Sequence, residues 1–407
     1  MLIHWIWLAT RQMHDREKLA ALEHFHDPED IFFTDPEAYS HVSGLSEEAA
    51  DALRDKDLLP AEQILADCAR EKIHILTFRD GAYPARLKNI SDPPMVLYYK
   101  GRLPDFNAQP FIGVVGTRSA TAYGLTAAKK MGYQIACCGG ALVSGAAEGI
   151  DASAMTGALT ANGTVVAVLG SGADIVYPAC NRPLFADLGR YGCLLSEFVP
   201  GTPPYGWNFP KRNRIISGLS NGVLVVEAPK KSGSLITAEL ALEQGRDVFV
   251  IPGNIDSPNS AGSNALLREG AISVSSGWDM VGEYEALFPG KLRPSEQPGM
   301  AAMTEAAEPM VAQPVKKIEN QRAKTEISDK KNIDKGKKPP YSDVEKKLPP
   351  LNEQEQRIVN ELKQGERQTD DVIAATGIAA GQMLGVLTML EIKGVICRLP
   401  GNRIALK

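Results

Sequence analysis

Histidine is confined to one end of this 407-residue chain: all six lie before residue 75. Six cysteines (Cys68, Cys137, Cys138, Cys180, Cys193, Cys397) show no metal-ligand spacing, so no metal site is expected and buried free thiols are. There is no surplus of positive charge either. Lys and Arg number 44 against 49 Asp and Glu, giving a net charge of −5, so any nucleic-acid binding needs a local basic patch. The apolar opening MLIHWIWLAT is too short to cross a bilayer, has no basic leader, and breaks at RQMHDREK. It reads as a first helix, and the expected compartment is the cytoplasm, with no membrane association. Also missing are a G-x-G-x-x-G loop, a Walker lysine loop and a nucleophile–base pair. A cofactor is therefore not expected.

What is present is the composition of a folded protein, 44% hydrophobic and 23% charged, at a length that suggests two or three domains. Residues 1–100 read as a helical module, similar to a sterile-alpha-motif, followed by an extended lead-in, DPPMVLYYKG (92–101). In SGLSEEAADALRDKD (43–57) a turn and acidic residues precede apolar positions at helical spacing. Beyond residue 110, short apolar runs alternate with helical stretches. FIGVVG, ALVSG, TVVAVLG, CLLSE, GVLVVEA, DVFVIPG and AISVS read as strands covered on both faces. This alternation predicts an α/β fold with a doubly wound, parallel, Rossmann-like sheet within residues 101–289. Residues 290–350, rich in Lys, Glu, Pro and Ala, read as a disordered linker. Three helices and a Pro-Gly-Asn hairpin over 351–407 suggest a winged-helix domain.

In such sheets ligands bind beyond the carboxyl ends of the strands, so the loops there carry the interest. GTRSATAYG (116–124) presents Thr117, Arg118 and Ser119 after a Gly116 turn. SGAAEGID (144–151) and PKKSGS (229–234) place small residues before helix N-termini, which offer backbone N–H groups to phosphate. FPKRNRIISGLS reads as the helix before GVLVVEA, with Lys211, Arg212 and Arg214 in its first turn or just before it. Cations there oppose the helix dipole unless an anion is close, which favours a binding role over a solvated face. On that reading, neutralising Arg118 or Arg214 should weaken binding and leave the melting temperature nearly unchanged. Glu148, Asp151, Glu197 and Glu227 admit either catalysis or helix capping and strand-end hydrogen bonding. Tyr123, Tyr177, Trp207 and Phe209 lie in or beside these loops, as stacking surfaces or as core.

The segments VGTRSATAYG, VSGAAEGIDASA, VLGSGADIVYPACN, FPKRNRIISGLS, SGSLITAELALEQGRDVFVIPG and GSNALLREGA follow the order and spacing of the DNA-processing protein A family, also called DprA or Smf, which this chain resembles. The resemblance implies a cytoplasmic, dimeric, non-enzymatic protein. It would bind single-stranded DNA entering in natural transformation, protect it, and help load the RecA recombinase. It also implies DNA contacts at Arg118, Lys211, Arg212, Asn213 and Arg214, with Ser144, Gly145, Ser232, Gly233 and Ser234 lining the pocket. Two positions depart from the family pattern: Glu148, where a phosphate would be repelled, and Met155, where a histidine is common. A rival reading is a nucleotide hydrolase of the phosphoribohydrolase type, in which Glu239 of PKKSGSLITAE would act on a ribose. A third, duplex binding through the winged helix, needs a basic recognition helix, and AGQMLGVLTMLEIKG is nearly neutral.

Overall fold

The computed structural model describes residues 1–294 and, further on, 353–362, 365, 367–378, 383, 386, 387, 390, 395–399 and 403–406. The expected linker lies almost entirely outside these residues. Two compact units are present, Met1–Gln313 and Pro314–Lys407.

The first unit carries one nine-stranded sheet. Its strands are β1 (His74–Thr77), β2 (Val96–Gly101), β3 (Phe111–Val115), β4 (Ala141–Ser144), β5 (Val165–Leu169), β6 (Cys193–Ser196), β7 (Gly222–Val225), β8 (Asp247–Val250) and β9 (Ile272–Ser273). Their spatial order is β1-β2-β6-β5-β4-β3-β7-β8-β9. All seven apolar runs are strands, and β3 to β9 pair in parallel. The lead-in does more than extend the chain. β2 pairs antiparallel with β6, and β1 with β2, so the sheet reaches into residues expected to precede it.

Helices α1 (Leu2–Thr10), α2 (Asp15–Phe25), α3 (Pro28–Phe33), α4 (Glu47–Arg54) and α5 (Leu59–Glu71) form the N-terminal part around Trp5, Trp7, Leu8, Ile31, Tyr39 and Leu53. Ser46 caps α4, its Oγ accepting from the Ala49 N–H at 3.2 Å, as the Ser-then-acidic pattern predicts. Next come α6 (Ala85–Lys88), α7 (Ala122–Cys137), α8 (Ile150–Thr160), α9 (Arg182–Tyr191), α10 (Asn208–Leu219), α11 (Gly233–Glu243), α12 (Ser263–Arg268) and α13 (Trp278–Val281). Side chains from α7, α8 and α9 cover one face of the sheet, and those of α6, α10, α11 and α12 cover the other. Ile215, Ile216 and Leu219 anchor α10, and each buried side chain contributes roughly 1.5–3 kcal/mol. Cys68, Cys138 and Cys193 are buried, whereas Cys180 is exposed.

In the second unit α14 (Glu353–Leu362) and α15 (Thr369–Thr376) accompany a small antiparallel sheet. Its order is β10 (Arg367–Gln368), β12 (Arg403–Leu406), β11 (Ile396–Leu399). The last two form the expected hairpin, closed over Ile358, Val372 and Ile404. Most of the third expected helix lies outside the described residues.

Candidate functional site

The chain lays down β3 to β6 in one direction and then returns to place β7 beside β3. Loops leaving the carboxyl ends of β3 and β7 must diverge here, which opens a crevice at the switch point. One carboxylate fastens its floor. Glu227, after β7, accepts from the N–H of Thr121 at 2.9 Å and from its Oγ1 at 2.5 Å, and the Thr117 N–H donates to the Glu227 carbonyl at 2.8 Å. Of the two readings open for Glu227, the structure supports the hydrogen-bonding one.

Above that floor lies a groove of about 380 Å³. The β3 loop brings Gly116, Thr117 and Arg118 to it, and α10 brings Phe209, Arg212, Asn213 and Ile216. Those α10 positions follow i, i+3, i+4, i+7, the spacing of one helix face. From the opposite side come Lys231, Ser232, Gly233, Ser234 and Thr237, at and beyond the N-terminus of α11. Arg118 is exposed, with its guanidinium 5.1 Å from the centre of the Phe209 ring. Phe209 in turn stacks on Tyr177 at 5.6 Å.

Arg212 is 4% exposed. It donates to the carbonyls of Gly145, at 2.9 Å, and Val168, and to Asn213 Oδ1 at 3.2 Å. Burial lowers its pKa to about 10, with nearby Asp151 opposing the shift and Arg118 adding to it, so it stays charged at neutral pH. Gly145 is small for this reason: a Cβ there would meet the guanidinium at 2.5 Å. Gly170 makes similar room for the Phe209 ring, which a Cβ would meet at 2.8 Å.

Three expected contacts face elsewhere. Ser144 is fully buried and donates to the Val114 carbonyl at 2.6 Å. Lys211 is exposed but lies beside Glu197, at 3.4 Å, and faces a separate cleft with Asp92 and Glu243. Arg214, 4% exposed, binds Asp15 at 2.9 Å, Asp92 at 2.8 Å and Glu197 at 2.8 Å. Burial works against its charge, but Glu197, Asp92 and Asp15 prevail and hold its pKa above the ordinary arginine value. The helix begins at Asn208, so Arg214 stands in its second turn. The anions that the dipole argument calls for are, for Lys211 and Arg214, internal. Glu197 is therefore an ion-pair partner.

The loop of small residues after β4 also differs from expectation. Asp151 turns back and accepts from the N–H groups of Gly145, at 3.1 Å, and Ala147, at 3.4 Å. These donors serve an internal carboxylate, whose pKa burial raises. The α11 end is different. Ser232 caps it, its Oγ accepting from the Ser234 N–H at 3.3 Å and lying 2.7 Å from Ser234 Oγ, and Asn213 Nδ2 donates to the Gly233 carbonyl at 3.4 Å. One turn on, Thr237 is fully buried, lines the groove, and has an Oγ1 without a hydrogen-bond partner. Sequence reasoning missed Thr237, although its i+3 and i+4 spacing from Ser234 and Gly233 places it on the same helix face. Glu148 is exposed on the rim beside Tyr177, and Met155 is fully buried in the core. Glu239, which the hydrolase reading requires, is exposed on α11 and is not among the groove-lining residues. Among the described residues no cluster has the makings of a metal site, and no helix is long and apolar enough to cross a membrane.

A sheet wound in both directions from a switch point, with its groove at the strands' carboxyl ends, defines the Rossmann-like class. The family model for DNA recombination-mediator protein A matches residues 74–285, beginning with β1, and that for the DprA winged helix domain matches 343–402. Protein Smf of Synechocystis sp. is 33% identical over 398 residues, covering 94% of this chain and 92% of that one. DNA processing protein DprA of Bacillus subtilis is 41% identical over 221 residues, 54% of this chain and 74% of the relative. The solved structure of DNA processing protein A from Streptococcus pneumoniae aligns with a TM-score of 0.62 at 35% identity, over 70% of this chain and 98% of that one. The chain belongs to the DNA recombination-mediator protein A (DprA/Smf) family.

Proposed function

We propose that this protein binds single-stranded DNA in the switch-point groove and acts in natural transformation as a binding protein, not as an enzyme. The observation that carries this reading is the convergence of Arg118, Arg212 and Lys231 with the capped N-terminus of α11 in one open groove. Cations and exposed amides follow a sugar–phosphate backbone without reading sequence, and Phe209 and Tyr177 offer the planar faces that single strands use. Arg118, Arg212, Asn213, Ser232, Gly233 and Ser234 form the DNA-facing set, while Gly145 is buried and serves Asp151 and Arg212. Protection of the incoming strand, loading of RecA, a homodimeric state and a cytoplasmic location complete the reading, on the strength of family membership. The exposed position of Glu239 away from the groove favours binding over the nucleotide-hydrolase alternative.

The test is salt-dependent binding to single-stranded and duplex oligonucleotides, with nucleotide hydrolysis followed in the same samples. Preference for the single strand is expected, with a log–log salt slope of roughly −0.7 per phosphate contacted. Equal affinity for duplex, a flat salt response, or steady hydrolysis overturns the reading.

A further inference from the structure

The segment entering α10 holds a second aromatic pair that the groove does not use. Tyr205 and Trp207 stack face to face, with ring centroids 4.7 Å apart and planes within 11°. Both are exposed, Trp207 to 72% and Tyr205 to 45%. Trp5 and Trp7 are buried and Trp278 is partly buried, so this indole is the exposed one of the four. An indole left open to water forgoes the burial that usually stabilises it, and a rigid exposed aromatic patch marks a binding surface.

The pair is held in place. Asn208, 5% exposed, donates through Nδ2 to the carbonyls of Gly170, at 3.0 Å, and Pro203, at 3.4 Å, and its N–H donates to the Tyr205 carbonyl at 3.0 Å. Trp207 is thereby fixed at the N-cap of α10, two residues before Phe209. Phe209 itself stacks on Tyr177 and lies beneath Arg118. Asn208 thus stands in sequence between the two aromatic stacks, with Trp207 before it and the groove-lining Phe209 after it.

We propose that the Tyr205–Trp207 stack is a base platform that receives a nucleotide of the single strand beyond the groove. This rests on the single-strand reading above and adds a subsite to it. The occupant follows from continuity: a strand whose phosphates lie along Arg118 and Lys231 carries unpaired bases past the start of α10, and every base offers a face to an aromatic ring. Because stacking releases no counterions, it adds affinity without adding to the salt slope.

The full chain is titrated with single-stranded oligo(dT) and with an abasic strand of equal length, following indole emission and affinity at several salt concentrations. Quenching and shielding of Trp207 from iodide are expected on oligo(dT). Trp207→Ala should weaken oligo(dT) binding at least about fivefold with the salt slope unchanged, and Trp207→Phe should restore most of it. On the abasic strand Trp207→Ala should bind like the parent. If the parent binds oligo(dT) and Trp207→Ala matches it, or weakens as much on the abasic strand, the platform is overturned and the groove reading stands. If the parent binds neither strand, both fall.

Discussion

Arg214 and Asp15, 199 positions apart in the chain, meet at 2.9 Å and join α10 to α2. With Asp92 and Glu197 they form a largely buried network that ties the N-terminal helices to the helix presenting Arg212 and Phe209. Removing one partner of a buried pair leaves uncompensated charge. Arg214→Met should therefore destabilise the protein by about 3–5 kcal/mol, seen as an earlier denaturation midpoint, in contrast to the neutral outcome expected if Arg214 faced solvent. Burial opposes the Asp15 charge, but Lys18 and Arg214 prevail and its pKa is lowered from 3.8. A depressed carboxyl pKa contributes stability above the unfolded value and loses it as pH falls through the folded one. Melts between pH 7 and 2 should show a steeper loss below about pH 4 in the parent than in Arg214→Met.

Arg118 is exposed and has no carboxylate partner among the described residues. Arg118→Ala should leave the melting temperature unchanged, weaken single-strand binding, and reduce the salt slope by about 0.7, the share of the one phosphate it would hold. A melting shift without a change in slope would contradict its place in the groove.

Thr237 separates ligand binding from stability. Its buried hydroxyl has no partner, so the isosteric Thr237→Val should leave the free protein as stable as the parent or about 1 kcal/mol more so. On the proposed reading of the groove, single-strand affinity should fall as well, because Thr237 lines it one turn into α11. Thermal denaturation and binding isotherms on the same preparation check both halves.

Gly145 serves Arg212. In Gly145→Ala the new methyl must displace a guanidinium bonded to two carbonyls, costing about 1–3 kcal/mol and weakening DNA binding together with stability. Differential scanning calorimetry beside a binding titration would show both effects together.

The strands were legible because both sheet faces are covered, which writes unbroken apolar runs such as VVAVL into the sequence. β1 and β2 were harder to place. The antiparallel partner of β2, β6, lies almost a hundred residues on, and no local pattern announces it. Within FPKRNRIISGLS the cations were legible as a cluster but not by direction. Successive helical residues turn by about 100°, so Arg212 reaches the groove while Lys211 and Arg214, three apart, share another face. Ser144 shows the same limit for a strand end: its composition suits a binding loop, yet its hydroxyl closes an internal bond to Val114.

The switch-point topology also bears on how the chain is made. Phe111, at the start of β3, bonds through its N–H to Asn221 Oδ1, 110 positions later and just before β7. At a synthesis rate of roughly 5–20 residues per second, β3 waits on the order of 5–20 seconds after emerging for the neighbour that completes it. Even once β4 has paired with it, β3 keeps one apolar side open until β7 is made. The crevice at the switch point is thus a late seam, closed only after more than a quarter of the chain has followed β3 out of the ribosome.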